Sequence, residues 1–262
     1  MVDDVTPALI EKVNKDFQNN LASDKRAGEL LEKLKSGKAS YDDAYAYAER
    51  VGRARAKAFG TQISSNVLPN GKMYYHIGSK LIGESLTTDH GLVAEYATTV
   101  QTLKNKSSGI NIKSQKADLD PDRIKGFVDR LASEEVYDDV AWILDEPVIT
   151  YARGIVDDTI KKNADFQYRA GVSAKIVRTS SAKCCDWCAD VEGEYNYPNV
   201  PREVFQRHDN CRCTVDYEGR RLTAYSGRNG SHSFRDQGEQ ERIDARKRYA
   251  EQINASFTRK RI

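Results

Sequence analysis

The sequence predicts an α+β protein with a mostly α-helical body, a small C-terminal β-ribbon and a basic flexible tail. Apolar residues recur at helical spacing through residues 1–170. Residues 172–178 alternate in polarity and residues 211–217 include β-branched side chains, a pattern typical of strands. From residue 219 onward, Gly, Ser, Asn and basic residues replace the large apolar ones. The predicted units are therefore 1–170, 171–218 and 219–262.

The composition favours exposed helices over a thick core. Of the 262 residues, 39% are hydrophobic and 31% are charged, whereas globular domains average about 45–50% (a count that includes Gly) and about 25%. The net charge of +2 is unevenly distributed. Residues 219–262 contain eleven Lys or Arg and five Asp or Glu, a net of +6, which leaves −4 for the remainder. A polyanion or an acidic protein surface is the expected partner of such an arm.

The sequence predicts neither a secretory signal at its start nor a membrane span. The acidic start, Met-Val-Asp-Asp, is not followed by an apolar stretch, so no secretory signal is expected. No apolar run approaches the roughly 18 residues of a membrane span. Clustered cysteines without a signal indicate a reducing compartment and a metal rather than disulfides. Synthesis in a cytoplasm is expected.

Three helices are predicted before residue 60. Pro7 marks the first turn of the first helix, and Ser23 is expected to cap the second. Ser40 and Asp43 form the pattern of a capping box at the start of the third. Four basic residues of the third helix are expected to form a solvated face rather than a phosphate contact: Arg50, Arg53, Arg55 and Lys57.

The middle of the body is predicted to be interrupted. Residues 60–88 contain Gly, Ser, Asn and Pro and predict a loop or small hairpin, with Asn70-Gly71 as its turn. Asp89 is expected to cap a helix that ends near Lys104, and residues 105–118 to form a polar linker.

Two further helices are predicted before the first strand. Asp120-Pro121 marks the start of one. Ser133 is expected to begin a long one, which Pro147 kinks or restarts. The acidic residues of that helix favour a solvated face over a catalytic carboxylate pair.

The stretch from Cys184 to Cys213, CCDWCADVEGEYNYPNVPREVFQRHDNCRC, contains all five cysteines and one of the four histidines. Two residues separate Cys185 from Cys188, and two separate His208 from Cys211. Nineteen residues lie between the two pairs. Two short ligand pairs at this distance are typical of a small structural Zn²⁺ site. The spacing therefore predicts a zinc-stabilised ribbon.

Six candidate ligands compete for four positions. The favoured set is Cys185, Cys188, His208 and Cys211, with Cys213 as the alternate ligand in place of His208. Cys184 could replace Cys185 only through a different turn. The alternative to a metal is a group of reduced, partly buried thiols. Trp187 is expected to cover the apolar side of the metal, with stacking on a nucleic-acid base as the alternative.

Catalytic interpretations of the cysteines are weaker. A redox C-x-x-C motif needs a lowered thiol pKa, which the surrounding acidic residues Asp186, Asp190, Glu192 and Glu194 oppose. A zinc deaminase needs H-x-E before P-C-x-x-C, and the sequence has no H-x-E. A structural site closed by protein ligands is therefore favoured.

Three motifs in this region give a resemblance to a known family. They are the C-x-x-C pair, the Val-Pro-Arg-Glu-Val-Phe run and the final His-Asp-Asn-Cys-Arg-Cys. Together they resemble the C-terminal signature of tailed-phage minor head proteins of the MuF-type head morphogenesis family, whereas the helical part matches only in size and composition. The resemblance implies a non-enzymatic virion component made in the bacterial host cytoplasm and placed in the phage head. Its implied partners are the portal protein and the major capsid protein, and its implied role is head assembly or DNA delivery.

Two other functions remain as alternatives. A zinc-containing nucleic-acid-binding module is disfavoured by the acidic residues near the cysteines. A metal- or cysteine-dependent hydrolase is disfavoured because His76, His90 and His232 are scattered. The arm is expected to be able to form a terminal helix over residues 239–257 and to contact packaged DNA or a protein partner. The residues expected to make that contact are Arg220, Arg221, Arg228, Arg235, Arg246, Lys247, Arg248, Arg259, Lys260 and Arg261.

Overall fold

The structure is a computed structural model that describes residues 4–181, 184–208 and 210–220, with Arg220 described by its backbone alone. Its helices and strands, in chain order, are α1 Thr6–Ser23, α2 Lys25–Lys35, α3 Tyr41–Gln62, α4 Tyr75–Ser107, α5 Pro121–Ala132, α6 Glu146–Arg169, β1 Ser173–Thr179, α7 Asp186–Asp190, β2 Gly193–Asn196 and β3 Thr214–Arg220. Short 3₁₀ turns lie at Pro69–Gly71, Tyr137–Asp139, Ala141–Leu144 and Arg202–Phe205.

The predicted α+β class, mostly helical with a small sheet, is confirmed. The expected pair β1 and β3 is antiparallel, with Ile176 opposite Tyr217. The prediction of two strands was incomplete, because β2 pairs with the other edge of β1 and the sheet has the order β2-β1-β3. β2 has only four residues and none of them is buried, so its sequence lacks the apolar alternation that marks a strand.

Side-chain hydrogen bonds to the backbone cap the N-termini of α2 and α3. Asp43 accepts a hydrogen bond from the backbone of Ser40 at 2.8 Å, and the Ser40 hydroxyl accepts one from the backbone of Asp43 at 3.4 Å, which confirms the capping box. The cap predicted at Ser23 was wrong. Asp24 caps α2 by accepting from the backbone of Ala27 at 3.0 Å, and Ser23 is the last residue of α1. Asp24 is the single residue between α1 and α2, and its carboxylate caps the second of these helices.

Of the loop or hairpin predicted over residues 60–88, the loop is present from residue 63 to residue 74. The hairpin alternative was wrong, because α4 runs without a break from Tyr75. Asn70 and Gly71 do form a turn, with φ of 54° and 72°, but no strand flanks it. The glycines of α4 suggested a breaker, yet packing overrides their weak helix propensity. At Gly78, for example, an added Cβ would lie 3.3 Å from the side chain of Val128 on α5.

Asp89 was predicted to cap a helix, but it lies in the middle of α4 and is 1% exposed. Its partner is Arg55, whose Nη2 donates to Oδ1 at 2.9 Å. Arg55 is itself fully buried against the ring of Phe17, so its assignment to a solvated face was also wrong. A buried arginine needs a charged partner, and here that partner lies 34 residues away.

The segment predicted as a linker packs against the body. α4 extends into it as far as Ser107, and no helix or strand follows until Pro121. Asn163 of α6 holds the backbone of Gln115 by accepting from its N–H and donating to its C=O, both at 2.7 Å. Ile110 is buried as well. The segment is thus held in place by a side chain of α6, a contact that the polar composition of the segment does not predict.

The long helix predicted from Ser133 is instead a pair of 3₁₀ turns followed by α6. Pro147 lies in the first turn of α6, so the expected restart is confirmed. Before it, Tyr137, Val140 and Ile143 are buried at intervals of three residues, which suits 3₁₀ geometry.

The core lies between α3, α6 and α4, and it continues without interruption into the sheet. Ile176, Val215 and Tyr217 of the sheet belong to the same apolar cluster as the helices, as does Val204 of the last 3₁₀ turn. Among the described helices, none combines the length and the apolarity that crossing a bilayer requires.

Candidate metal centre

Pairing of two strands brings the cysteine-bearing segments together. β1 ends at Thr179, directly opposite Thr214 at the start of β3. Cys185 and Cys188 follow β1, with Cys188 on the short helix α7. His208 and Cys211 precede β3. Neighbouring strand ends therefore direct both ligand pairs to one place.

The side-chain atoms of the predicted ligands are in contact. His208 Nε2 lies 3.3 Å from the sulfur of Cys185 and 3.1 Å from that of Cys188. The sulfur atoms of Cys188 and Cys211 lie 3.8 Å apart.

Two groups of three ligands share Cys188. One contains Cys185, Cys188 and His208, and the other contains Cys188, Cys211 and Cys213, with the ligand atoms of each group within 4.8 Å of one another. All four favoured residues and the alternate Cys213 are thus brought together, and the cluster could bind a metal ion. Cys184 is exposed and belongs to neither group.

The cluster is buried on its inner side and reaches solvent on its outer side. Cys188, Cys211 and Cys213 are 1–2% exposed, whereas Cys185 and His208 are exposed. Burial raises the pKa of the Cys188 thiol. Burial also acts to raise the pKa of Cys213, but hydrogen bonds from the Ser181 backbone and neighbouring thiols, together with the charge of Arg178, outweigh it and lower that pKa.

Arg178 of β1 is a part of the site that sequence reasoning missed. It is 1% exposed. Its Nη1 donates to the carbonyl oxygens of Val204 and Gln206 at 2.5 and 3.1 Å. Its Nη2 lies 3.8 Å from the sulfur atoms of both Cys188 and Cys211. The available signal was an arginine in an alternating strand at a position that faces inward.

Arg207 was also missed. It forms a buried ion pair with Asp157 of α6, with Nη2 to Oδ1 at 2.9 Å, and its Nε also contacts the carboxylate. Its Nη1 donates to the carbonyl of Cys213 at 2.8 Å and lies 3.8 Å from the sulfur of Cys211. The hydroxyl of Tyr45 on α3 donates to the same carboxylate at 2.6 Å. The ligand segment is thereby tied to two helices.

Arg153 of α6 provides a third connection. It donates to the carbonyls of Arg212 and Cys213 at 2.9 and 3.2 Å. Its charge is balanced by Glu49 of α3 at 3.3 Å. The ligand segment therefore cannot move without breaking contacts to α3 and α6.

Trp187 packs edge-to-face on His208, with ring centroids 5.7 Å apart and planes at 84°. The guanidinium of Arg178 lies 5.5 Å from the centre of the Trp187 ring. The indole is 37% exposed, so it covers the imidazole while leaving part of its own surface in solvent.

The other candidate residues lie away from the cluster or outside the described chain. His90 contacts the carbonyl of Asp118 at 3.2 Å, and His76 lies in the first turn of α4. The expected contact residues Arg221, Arg228, Arg235, Arg246, Lys247, Arg248, Arg259, Lys260 and Arg261, His232 and the terminal helix over 239–257 all lie outside the described residues. Arg220 is described only as the backbone end of β3.

Comparison of the chain with models of protein families, with curated proteins and with solved structures finds no match.

Proposed function

We propose that the cluster is a structural Zn²⁺ site and that the chain is a minor head protein of a tailed phage. The observation that carries the metal proposal is the convergence of Cys185, Cys188, His208 and Cys211. Thiolate and imidazole are the ligands of structural zinc, and zinc–sulfur bonds of about 2.3 Å in a tetrahedron place two sulfur atoms about 3.8 Å apart. The sulfur atoms of Cys188 and Cys211 have that separation, 3.8 Å.

The surrounding charges support thiolate ligands. Arg178 is buried and forms no ion pair with a carboxylate among the described residues. An isolated buried cation is costly. The groups that face its Nη2 are the sulfur atoms of Cys188 and Cys211, and metal-bound thiolates would supply the missing negative charge. N–H groups directed at the ligating sulfurs are the outer contacts that orient ligands in metal sites.

The ligand count favours a structural over a catalytic ion. Catalytic zinc keeps one of its positions open for water or substrate, whereas structural zinc is closed by four protein ligands. The cluster offers five protein ligands, because Cys213 joins the favoured four. A hydrolase would need one coordination position of the metal left open for water or substrate. Five protein ligands are enough to fill all four positions, which argues against the hydrolase alternative.

The proposed role in the phage head rests on the three sequence motifs together with the way the cluster is built. A closed metal site tied to α3 and α6 holds a shape and performs no chemistry. Such a chain would act by presenting its helical body and ribbon to the portal protein and the major capsid protein, inside the virion. Contact of the basic arm with packaged DNA belongs to the same proposal.

Elemental analysis of protein purified without chelator tests the metal. The expected result is about one zinc ion per chain. Protein that is folded and free of bound metal contradicts the proposal. Substitution of Co²⁺ then counts the thiolate ligands through their charge-transfer absorption, and separates a three-thiolate set from one that includes Cys213.

The role is tested separately with purified phage particles. Mass spectrometry should detect the chain in particles, and deletion of its gene should lower the yield of filled or infectious heads. Absence from particles, combined with normal particles from the deletion strain, rejects the head-protein role even if the metal is present.

A further inference from the structure

A cleft beside the metal centre lies between α5, α6 and the segment that leads to His208. Its volume is about 480 Å³. Arg123, Lys161, Arg202 and Trp187 line it together with His208. We propose that this cleft binds a phosphate group, supplied by a nucleic-acid backbone or a free nucleotide, which goes beyond the structural role above.

Three cations reach the cleft from separate elements of the fold. Lys161 of α6 and Arg202 of the last 3₁₀ turn are exposed, and neither has a hydrogen bond or ion pair with the part of the chain that the structure describes. By contrast Lys162, the next residue along α6, pairs with Asp118 at 2.5 Å. Lys161 shares only a longer-range attraction with Asp158, and cations that converge with few close carboxylate contacts form a site for an anion.

The position of Arg123 is built into α6. A Cβ added to Gly154 would lie 2.7 Å from Nη2 of Arg123, so the glycine allows the guanidinium to lie against the helix backbone. The ring of Tyr151 supports it, 5.2 Å from the guanidinium carbon. Among the described residues its one ion-pair contact is Asp158 at 3.7 Å, which is beyond hydrogen-bond distance. The donors of Arg123 therefore remain available to a ligand.

The features of the cleft favour a phosphate over a carboxylate. Three donor groups suit the three terminal oxygens and the double charge of a free nucleotide's phosphate, and they equally suit successive backbone phosphates, each of which carries one charge and two free oxygens. Asp120 and Asp158 also line the cleft. Against their repulsion, a single carboxylate gains less from three cations than the dianion of a free nucleotide or several backbone phosphates together. Trp187 places a partly exposed indole at the rim, a surface on which a base can stack.

Along the chain, by contrast, the neighbourhood of Trp187 is acidic. Asp186, Asp190 and Glu192 are acidic neighbours of Trp187 along the chain, and all reach solvent. The basic residues beside Trp187 come from α5, α6 and the last 3₁₀ turn, far away in sequence. A basic surface next to the metal centre is therefore a product of the fold.

The experiment uses the full chain with Trp142→Phe, which leaves Trp187 as its only tryptophan. Trp142 is 57% exposed, so the background substitution is not expected to disturb packing. Indole fluorescence is followed during titration with inorganic phosphate, a nucleoside monophosphate and a short single-stranded DNA. A saturable change is expected with all three. Tighter binding of the DNA than of the other two identifies a nucleic-acid backbone as the source, and tightest binding of the monophosphate identifies a free nucleotide.

Variants assign the binding to the cleft. Lys161→Ala and Arg202→Ala should each weaken binding about tenfold, the effect of losing one charge-assisted hydrogen bond. Gly154→Ala should weaken it as well while the melting temperature does not fall, because it displaces only the mobile end of Arg123. Asp158→Asn should strengthen binding. The matched control is Lys125→Ala, which removes an exposed cation of α5 paired with Asp129 and should leave binding unchanged.

Three results would overturn the proposal. The first is no saturable response to any of the three probes. The second is equal weakening by Lys125→Ala and by the cleft variants, which indicates nonspecific charge. The third is a response to a glutamate-rich peptide without one to phosphate or DNA, which assigns the cleft to acidic protein partners.

Discussion

Arg207 and Asp157 form a buried ion pair that joins the segment carrying His208 and Cys211 to α6. Nη2 of Arg207 lies 2.9 Å from Oδ1 of Asp157, and the two side chains are 1% and 0% exposed. Burial alone would lower the pKa of Arg207, but the charge of Asp157 outweighs it and raises that pKa. The carboxylate also accepts from Tyr45 of α3, so this one group connects three parts of the fold.

Asp157→Asn should destabilise the protein by about 3–5 kcal/mol, because it leaves a buried guanidinium without its counter-charge. Urea unfolding followed by circular dichroism measures the loss. Asp129→Asn provides the control, since its pair with Lys125 is exposed at the surface of α5 and is worth at most about 1 kcal/mol. Equal effects of the two substitutions would show that the buried pair has no special role.

Cys188→Ser should abolish metal binding, because both groups of three ligands include Cys188. The melting temperature should fall and the segments that carry the ligands should lose their order, because metal binding at a structural site contributes folding free energy. Most helical circular dichroism should remain, since the sheet shares its apolar core with the helices. Cys184→Ser is the matched control. Cys184 is exposed and outside both groups, so this variant should retain its metal and its melting temperature. Retention of metal by Cys188→Ser contradicts the assignment of the site.

Arg178→Met should lower metal affinity about 10–100-fold, the usual cost of removing an outer contact to a metal site. The substitution also leaves the carbonyls of Val204 and Gln206 without a donor that now lies at 2.5 and 3.1 Å. Competition with a chromogenic chelator measures the affinity. Lys175→Met, on the same strand but paired with Glu194 and Glu218 at the surface, should bind metal as the parent does. If Arg178→Met also binds metal normally, the guanidinium does not act on the thiolates.

The part of this site that could be predicted from sequence is the part encoded by spacing. Cys185, Cys188, His208 and Cys211 form two local pairs, and a turn of fixed length brings each pair together. Arg178 could not be assigned, because its partners are carbonyl groups about 26 residues away along the chain. Every residue has a backbone carbonyl, so residue type does not show which carbonyl accepts a hydrogen bond from Arg178.

The same distinction separates the correct from the incorrect predictions of helices. The capping box of Ser40 and Asp43 involves residues three apart, so the sequence determines it. The role of Asp89 depends on Arg55, which lies on another helix. An aspartate before an apolar stretch satisfies the capping pattern equally well, and only the packing of α3 against α4 decides between a cap and a buried ion pair.

Stability should fall steeply as the pH rises above about 10. Burial raises the pKa of Tyr41, Tyr45 and Tyr137 in the folded protein, whereas in the unfolded chain tyrosine ionises near 10. Between those values only the unfolded state loses its protons, so each tyrosine costs about 1.4 kcal/mol per pH unit. Their stabilising contribution is complete below pH about 10 and declines above it. Ultraviolet absorbance of tyrosinate should rise together with the loss of helical circular dichroism.

Tyr137→Phe isolates this effect. The Tyr137 side chain is 2% exposed, and replacing it removes one of the groups that must ionise on unfolding. The alkaline slope should decrease by about 1.4 kcal/mol per pH unit, with a much smaller change at neutral pH. Tyr75→Phe is the control because Tyr75 is 50% exposed. A slope that responds to both substitutions alike would argue against burial as the cause.

Gly52 lies where α3 and α6 pack closely together. A Cβ at Gly52 would lie 2.7 Å from the backbone Cα of Ile149 and 3.4 Å from the Cβ of Ala152. The first of these atoms belongs to a helix backbone and cannot rotate away. Gly52→Ala should therefore separate the two helices and destabilise the protein by about 1–3 kcal/mol, the usual cost of overpacking.

Gly60→Ala on the same helix should have the opposite effect. An added Cβ there meets no atom within 4 Å, and alanine favours a helix over glycine by up to about 1 kcal/mol. Thermal unfolding of the two variants should thus shift in opposite directions. The displacement at Gly52 should also reach the candidate metal centre, because α3 supplies Tyr45 to the carboxylate of Asp157 at 2.6 Å. We expect Gly52→Ala, but not Gly60→Ala, to lose metal to a chelator faster than the parent protein. Equal rates of loss in the two variants would mean that the packing of α3 on α6 does not affect the candidate metal centre.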